Sequence, residues 1–226
     1  MSRSTPHDPT NLPLFDTARR ALPCGDASEL VAMDLAGAQS SYAARAYPGD
    51  QADALFLALQ AEIPWHQHRL NLFGREVAAP RLSCWIGDPD ATYTYSRTRF
   101  EPQPWTPTVA GLRDDLAARF GLGFNSALAN LYRDGRDSMG WHSDDEPELG
   151  AQPLIASLSF GAERTFRLRS RATRKTALSI ELAHGSLLLM GGDTQRLYQH
   201  ALPKRVHAIG ARINLTFRYI TTSLST

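Results

Sequence analysis

A chain of 226 residues can bury the core of one domain, and all-β folds of this size commonly stay undivided. Its 24 Lys and Arg against 23 Asp and Glu leave a net charge of +1, which excludes a polycation held to nucleic acid by bulk attraction, so any basic surface must be local. Two cysteines, Cys24 and Cys84, exclude a disulfide framework or a cysteine-built zinc site, and the longest strongly apolar run, Leu187 to Met190, is too short to span a bilayer. With no apolar signal core near Met1, a soluble, cytoplasmic monomer without membrane contact is expected.

Residues 1–25 mix Pro, Ser, Thr and charged groups without periodicity and read as a flexible arm before a single domain over 26–226. From Pro48-Gly49-Asp50 the spacing predicts a helix with Asp50 as N-cap and Leu55, Phe56 and Leu59 on one face. Residues 69–74 and 92–96 read as strands or hairpin arms. A second helix is expected after Thr106-Pro107, with Thr106 as cap and Val109, Leu112, Leu116 and Phe120 as its stripe. From residue 125 the chain reads as β throughout, with strands near 126–132, 153–160, 164–169, 176–182, 185–190 and 211–220. The expected class is mainly β with flanking α-helices, a jelly roll or related sandwich.

His142 and Asp144 are two residues apart, so an extended segment presents both on one face, and His200 would join them from another strand. Two imidazoles and one carboxylate can occupy one face of an iron(II) ion and leave the other positions open. Alone this is weak, because His-x-Asp is common and the chain has seven histidines. The segment from Arg212 strengthens it. Arg212, Asn214, Thr216 and Arg218 alternate with Ile213, Leu215, Phe217 and Tyr219, placing two guanidinium groups on one face. Asn130 and Tyr132 share the same two-residue spacing. A dicarboxylate such as 2-oxoglutarate requires fork-shaped donors, which arginine supplies better than lysine.

Asn130-x-Tyr132, His142-x-Asp144-Asp145-Glu146, the distant His200 and Arg212-x-Asn214-Leu215-Thr216-Phe217-Arg218 together resemble the AlkB family of iron(II)- and 2-oxoglutarate-dependent dioxygenases, in its DNA-repair branch, over about residues 65–220. The resemblance implies a double-stranded β-helix (jelly-roll) core over about 125–220 and a nucleotide-recognition region over about 65–100. It implies His142, Asp144 and His200 as ligands of Fe(II), with O2 as the oxidant. It also implies Arg212 on the distal carboxylate of 2-oxoglutarate with Tyr132 and Asn214, Asn130 and Arg218 near the chelating end, and Thr216 lining the pocket. The implied reaction is oxidative demethylation of 1-methyladenine or 3-methylcytosine in DNA, with RNA as an alternative, releasing formaldehyde, succinate and CO2.

On the substrate side, the resemblance makes Tyr93 and Tyr95 a lid over a flipped base and Phe73 a wedge at a hairpin tip; without it, the tyrosines read as a half-buried strand. Asp145 and Glu146 are candidates for holding a base made cationic by methylation, although Asp145 reads equally well as part of an acidic turn. Between Arg164 and Lys175 six of twelve residues are Arg or Lys, and Arg167 and Arg169 are the candidate phosphate contacts of that basic hairpin. Trp141 is expected to pack beside the site. Two rival readings are a 2-oxoglutarate oxygenase acting on modified RNA, protein or a small molecule, and a non-enzymatic jelly-roll module binding zinc or nothing.

Overall fold

The computed structural model describes residues 29–72, 75–95, 98–206 and 209–221, and for 70–72, 75, 93–95 and 98–100 the backbone alone. The arm expected over 1–25 and the Phe73 wedge lie outside the described residues, as do the side chains of Tyr93 and Tyr95.

In chain order the first half comprises β1 (Val31–Ala32), β2 (Ala38–Ala43), α1 (Gly49–Glu62), β3 (Arg69–Leu72), β4 (Arg75–Ala78), β5 (Leu82–Gly87), β6 (Tyr93–Tyr95), β7 (Thr98–Phe100) and α2 (Pro107–Phe120). The second half comprises β8 (Ser126–Tyr132), β9 (Met139–His142), β10 (Ile155–Gly161), β11 (Arg164–Ser170), β12 (Thr176–Leu182), β13 (Ser186–Gly192), α3 (Thr194–Leu197), β14 (Tyr198–Leu202) and β15 (Arg212–Arg218).

Thr106 caps α2 as expected, its hydroxyl accepting from the Val109 amide at 3.4 Å, and Gly121 ends the helix at φ 68. The cap of α1 differs from expectation. Gly49 is already helical, the Pro48 carbonyl accepts from Ala52, and Asp50 lies inside the first turn, where its charge suits the helix dipole without a capping bond.

Seven strands form one antiparallel sheet in the order β1-β2-β13-β10-β15-β8-β5, and four form another in the order β12-β11-β14-β9. The pairs β3-β4 and β6-β7 are separate two-stranded ribbons. One face of the large sheet packs on the helices: Leu158, Phe160, Leu187, Leu189 and Leu215 share a core with Leu59 and Leu116. Its other face meets the small sheet, where Ile155, Leu188 and Met190 pack with Phe166, Leu168 and Leu182. Each buried Leu or Phe contributes about 1.5–3 kcal/mol on leaving water.

Two strands, β5 and β2, lack the pattern that marks a strand in sequence, each for its own reason. β5 is buried along nearly its whole length, so it lacks the alternation that marks a half-exposed strand. β2 is short and rich in Ala and Ser and carries no strong pattern. The second half is also not β throughout: Pro147–Leu149 forms a 3-10 turn and α3 interrupts the run before β14.

Gly161, at the end of β10, has φ 88, and a Cβ there would lie 2.4 Å from the Ala211 carbonyl oxygen. That close approach sets where β15 starts and hence where Arg212 sits. Among the described residues no helix is long and apolar enough to cross a membrane.

Candidate active site

The β14-β9 register pairs His200 directly with His142, and Asp144 follows two residues after β9. The ligand atoms of His142, Asp144 and His200 all lie within 4.8 Å of one another. His142 Nε2 is 3.1 Å from His200 Nε2 and 3.9 Å from Asp144 Oδ1, and His200 Nε2 is 3.8 Å from Asp144 Oδ2. His142 Nδ1 donates to the Gly140 carbonyl at 2.9 Å, which leaves Nε2 as the free lone pair facing the centre. The His200 ring stacks on Phe166 at 5.3 Å between centroids, which fixes its plane.

Asp144 is buried, and two groups hold it. Arg218 Nη2 donates to its Oδ1 at 2.6 Å, and its backbone N–H donates to Gln195 Oε1 at 3.0 Å. Burial alone would raise the carboxyl pKa; Arg218, with His200 and His142, overcomes that and holds it at about 2. Burial, reinforced by His142, pulls His200 down to about 3. At neutral pH the carboxylate is ionised and the His200 imidazole neutral, the forms a divalent metal requires.

A cavity of about 480 Å3, counted with its open mouth, adjoins this triad. It is lined by all three triad residues and by every residue assigned above to 2-oxoglutarate, including Asn130, Tyr132, Thr216 and both arginines of β15. The β15-β8 register places Arg212 opposite Tyr132 and Asn214 opposite Asn130, so two strands present their polar faces together. Both faces of β15 are buried, the one that carries Arg212, Asn214, Thr216 and Arg218 included.

Arg212 Nη2 donates to Ser159 Oγ at 2.9 Å, and its guanidinium lies 5.3 Å from the Tyr132 ring centre. Its Nε is buried and has no hydrogen-bond partner among the described residues. Burial lowers its pKa to about 10, which still leaves it charged at neutral pH. A buried cation with an unused donor is costly unless an anion supplies the missing acceptor, so the donor set fits a carboxylate ligand. Asn214 is by contrast occupied, its Nδ2 donating to Ser157 Oγ at 2.8 Å and Leu158 O at 2.9 Å, while Thr216 Oγ1 donates to its Oδ1 at 3.1 Å.

The candidate substrate residues are not gathered in the same way. Arg167 is exposed on β11. Arg169 is drawn onto Trp141, 4.3 Å from the ring centre, and donates to Gln199 Oε1 at 2.9 and 3.1 Å, on the face of the small sheet opposite the metal histidines. Asp145 pairs with Arg171 at 2.5 Å. Glu146 is half-buried and leads into the 3-10 turn, outside the cavity lining. Arg164 departs from the expected basic hairpin: at 1% exposure it cannot touch a phosphate, because it points inward with Phe166 and Leu168.

Three supporting residues were not identified from the sequence. Arg81 Nε donates to Asn130 Oδ1 at 2.7 Å, which turns that amide's NH2 group away from Arg81. Ser159 receives Arg212, and Gln195 holds the Asp144 amide. None has a sequence spacing that links it to its partner; only strand register and the α3 turn bring them together.

The sequence model of the 2OG-Fe(II) oxygenase superfamily matches residues 40–218. Alpha-ketoglutarate-dependent dioxygenase alkB homolog 3 of Bos taurus is 44% identical over 179 residues, covering 75% of this chain and 62% of that protein. The Homo sapiens protein of the same name is 43% identical over 187 residues, covering 77% and 65%. The DNA oxidative demethylase ALKBH2 of Homo sapiens is 39% identical over 180 residues, covering 75% and 69%. The chain therefore spans less than two thirds of the length of these alkB homolog 3 relatives. The solved structure of OsALKBH1 shares the fold with a TM-score of 0.57 at 18% identity, over 84% of this chain and 100% of that one. A superfamily match over most of the chain, relatives of this identity and a buried His-Asp-His cluster agree: the chain belongs to the 2OG-Fe(II) oxygenase superfamily and is AlkB-like.

Proposed function

We propose that this protein removes N-alkyl groups oxidatively from 1-methyladenine- and 3-methylcytosine-type bases in DNA, with RNA as a second substrate to be tested. The observation that carries the reading is the convergence of His142, Asp144 and His200 with Arg212, a buried cation holding an unused donor, in one cavity. The naming of a relative 39% identical to this chain as a DNA oxidative demethylase supports the substrate class.

Bound iron(II), with 2-oxoglutarate and O2, supplies an oxidation of the N-methyl C–H bond coupled to decarboxylation, with succinate, CO2 and formaldehyde as products. His142, Asp144 and His200 hold the metal. Arg218 keeps Asp144 ionised in a buried place, and Gln195 fixes its backbone. Arg212 takes the distal carboxylate of the co-substrate beside Tyr132, and the Asn130 amide, oriented by Arg81, faces its other end. Arg167 and Arg169 track phosphates on the outer sheet, Asp145 and Glu146 stand near the base, and Phe73, Tyr93 and Tyr95 complete its recognition within about 65–100. In this reading the two sheets are the halves of a double-stranded β-helix in a single domain over 26–226, acting as a cytoplasmic monomer.

One observation favours a second reading, a 2-oxoglutarate oxygenase with a substrate other than nucleic acid: Arg169 and Asp145 are already partnered, by Gln199 with Trp141 and by Arg171. Formaldehyde release with iron(II) and 2-oxoglutarate, measured on matched methylated single- and double-stranded DNA and RNA, tests the proposal. Turnover that disappears in Asp144→Ala is expected. An unchanged rate in that variant overturns the metal assignment, and succinate formation only with non-nucleic substrates favours the second reading.

A further inference from the structure

Beside Tyr132, which lines the cavity, lies a further buried guanidinium to which the proposed reaction gives no role. Arg164 opens β11, and its side chain is turned away from solvent. Among the described residues its side chain makes three hydrogen bonds, all to backbone carbonyls: Nη1 donates to Asp134 at 3.3 Å, and Nη2 to Asp137 at 2.9 Å and Pro203 at 2.7 Å. Its Nε, like that of Arg212, is buried without a hydrogen-bond partner among the described residues. Its guanidinium carbon lies 5.8 Å from the Tyr132 ring centre, and that of Arg212 lies 5.3 Å from the same ring. One phenol therefore stands near two buried cations.

The three carbonyls belong to two segments. Asp134 and Asp137 lie between β8, which carries Asn130 and Tyr132, and β9, which delivers His142. Pro203 directly follows β14, which delivers His200. The segments are also tied to each other, since the Arg205 amide donates to the Gly135 carbonyl at 2.7 Å. A guanidinium that serves three carbonyls from two chain segments fixes their relative position through a rigid planar fork, which no single backbone bond does.

We propose that Arg164 is a positioning residue that holds residues 133–138 and 203–206 against Tyr132 and so sets the geometry in which the cavity takes a dicarboxylate. The proposal rests on reading the cavity as a 2-oxoglutarate site. Arg164 and Arg212 repel each other across Tyr132, and an anion at Arg212 offsets that repulsion. Ligand and clamp then favour the same state, so each strengthens the other.

Limited trypsin digestion of the full chain tests this directly, because Lys204 and Arg205 are exposed and Val206 beside them is 98% exposed. The comparison is wild type, R164K, which keeps the charge without the planar fork, and R164M, each with and without 2-oxoglutarate and redox-silent Mn(II). Cleavage after 204 or 205 is expected to run about 10- to 100-fold faster in R164M, the population change that lost charged hydrogen bonds produce. R164K should fall between. The KM for 2-oxoglutarate should rise in both variants while kcat at saturating co-substrate stays near wild type. Melting curves identify a variant that fails to fold, and R164K then carries the test. Wild-type cleavage rates and wild-type KM in R164K and R164M overturn the proposal. If calorimetry shows that the wild type itself binds no 2-oxoglutarate, the cavity reading fails, and the ligand-free cleavage rates alone decide whether Arg164 holds the two segments.

Discussion

Arg218 donates to Asp144 across 2.6 Å with the two side chains only 3% and 5% exposed. The negative charge of the metal-binding carboxylate is therefore balanced before any cation arrives. In Arg218→Met the metal-free protein should lose about 3–5 kcal/mol, since a buried charge is left without its counterpart. A divalent ion supplies the missing positive charge, so Mn(II) should restore more stability to the variant than it adds to wild type. Urea unfolding with and without Mn(II) measures both; equal stability of the two metal-free proteins would contradict the prediction.

Arg212→Ala should raise the 2-oxoglutarate KM by about two orders of magnitude, the loss expected when one partner of a buried charge pair is truncated. Arg212→Lys should recover little, because an ammonium lacks the fork that Ser159 and a carboxylate share. Initial rates across a 2-oxoglutarate series separate this from a fall in kcat, and an unchanged KM would remove Arg212 from the co-substrate site.

Gln195→Leu leaves the Asp144 amide buried and unpaired, which costs about 1–3 kcal/mol. Because that amide fixes the loop carrying the carboxylate, metal affinity should fall about 10- to 100-fold, as is usual for residues behind metal ligands. Competition titration with Co(II) is the measurement, and wild-type affinity would show that the backbone needs no such anchor.

Far from the cavity, Tyr47 donates to Asp115 at 2.7 Å, and burial, then that bond, raises its phenol above the ordinary value of 10.0. The folded state keeps the proton that the unfolded chain releases near 10.0, so this contribution is complete below that pH and is lost as pH rises beyond it. Wild-type urea midpoints should decline above about pH 10, and Tyr47→Phe, already weaker by about 0.5–1.5 kcal/mol, should decline less. Parallel declines in the two proteins would assign the alkaline loss to other groups.

The residues legible in the sequence are those whose partners share one strand face. His142 with Asp144, Asn130 with Tyr132, and the alternating polar residues Arg212, Asn214, Thr216 and Arg218 announce themselves by a period of two, and all of them line one cavity. Gln195, Arg81 and Ser159 act across registers and turns that spacing does not encode. Arg164 is intermediate. It was submerged in a basic run, yet it is in phase with the buried Phe166 and Leu168, while Arg167 and Arg169 are in the opposite phase. Reading that alternation residue by residue separates the buried arginine from the surface ones. β5 and the Pro48 cap escaped for local reasons, double-sided burial in the first case and a helical Gly49 in the second.

The ribbons β3-β4 and β6-β7 form sheets of their own and take no place in either large sheet. Neither ribbon is part of the ladder that sets the register of β15. A slip of one residue in β15 would turn Arg212 and Arg218 out of the cavity together. One chain thus joins two kinds of structure: a frame whose register fixes both arginines of β15 at once, and two ribbons whose pairing stands outside that constraint.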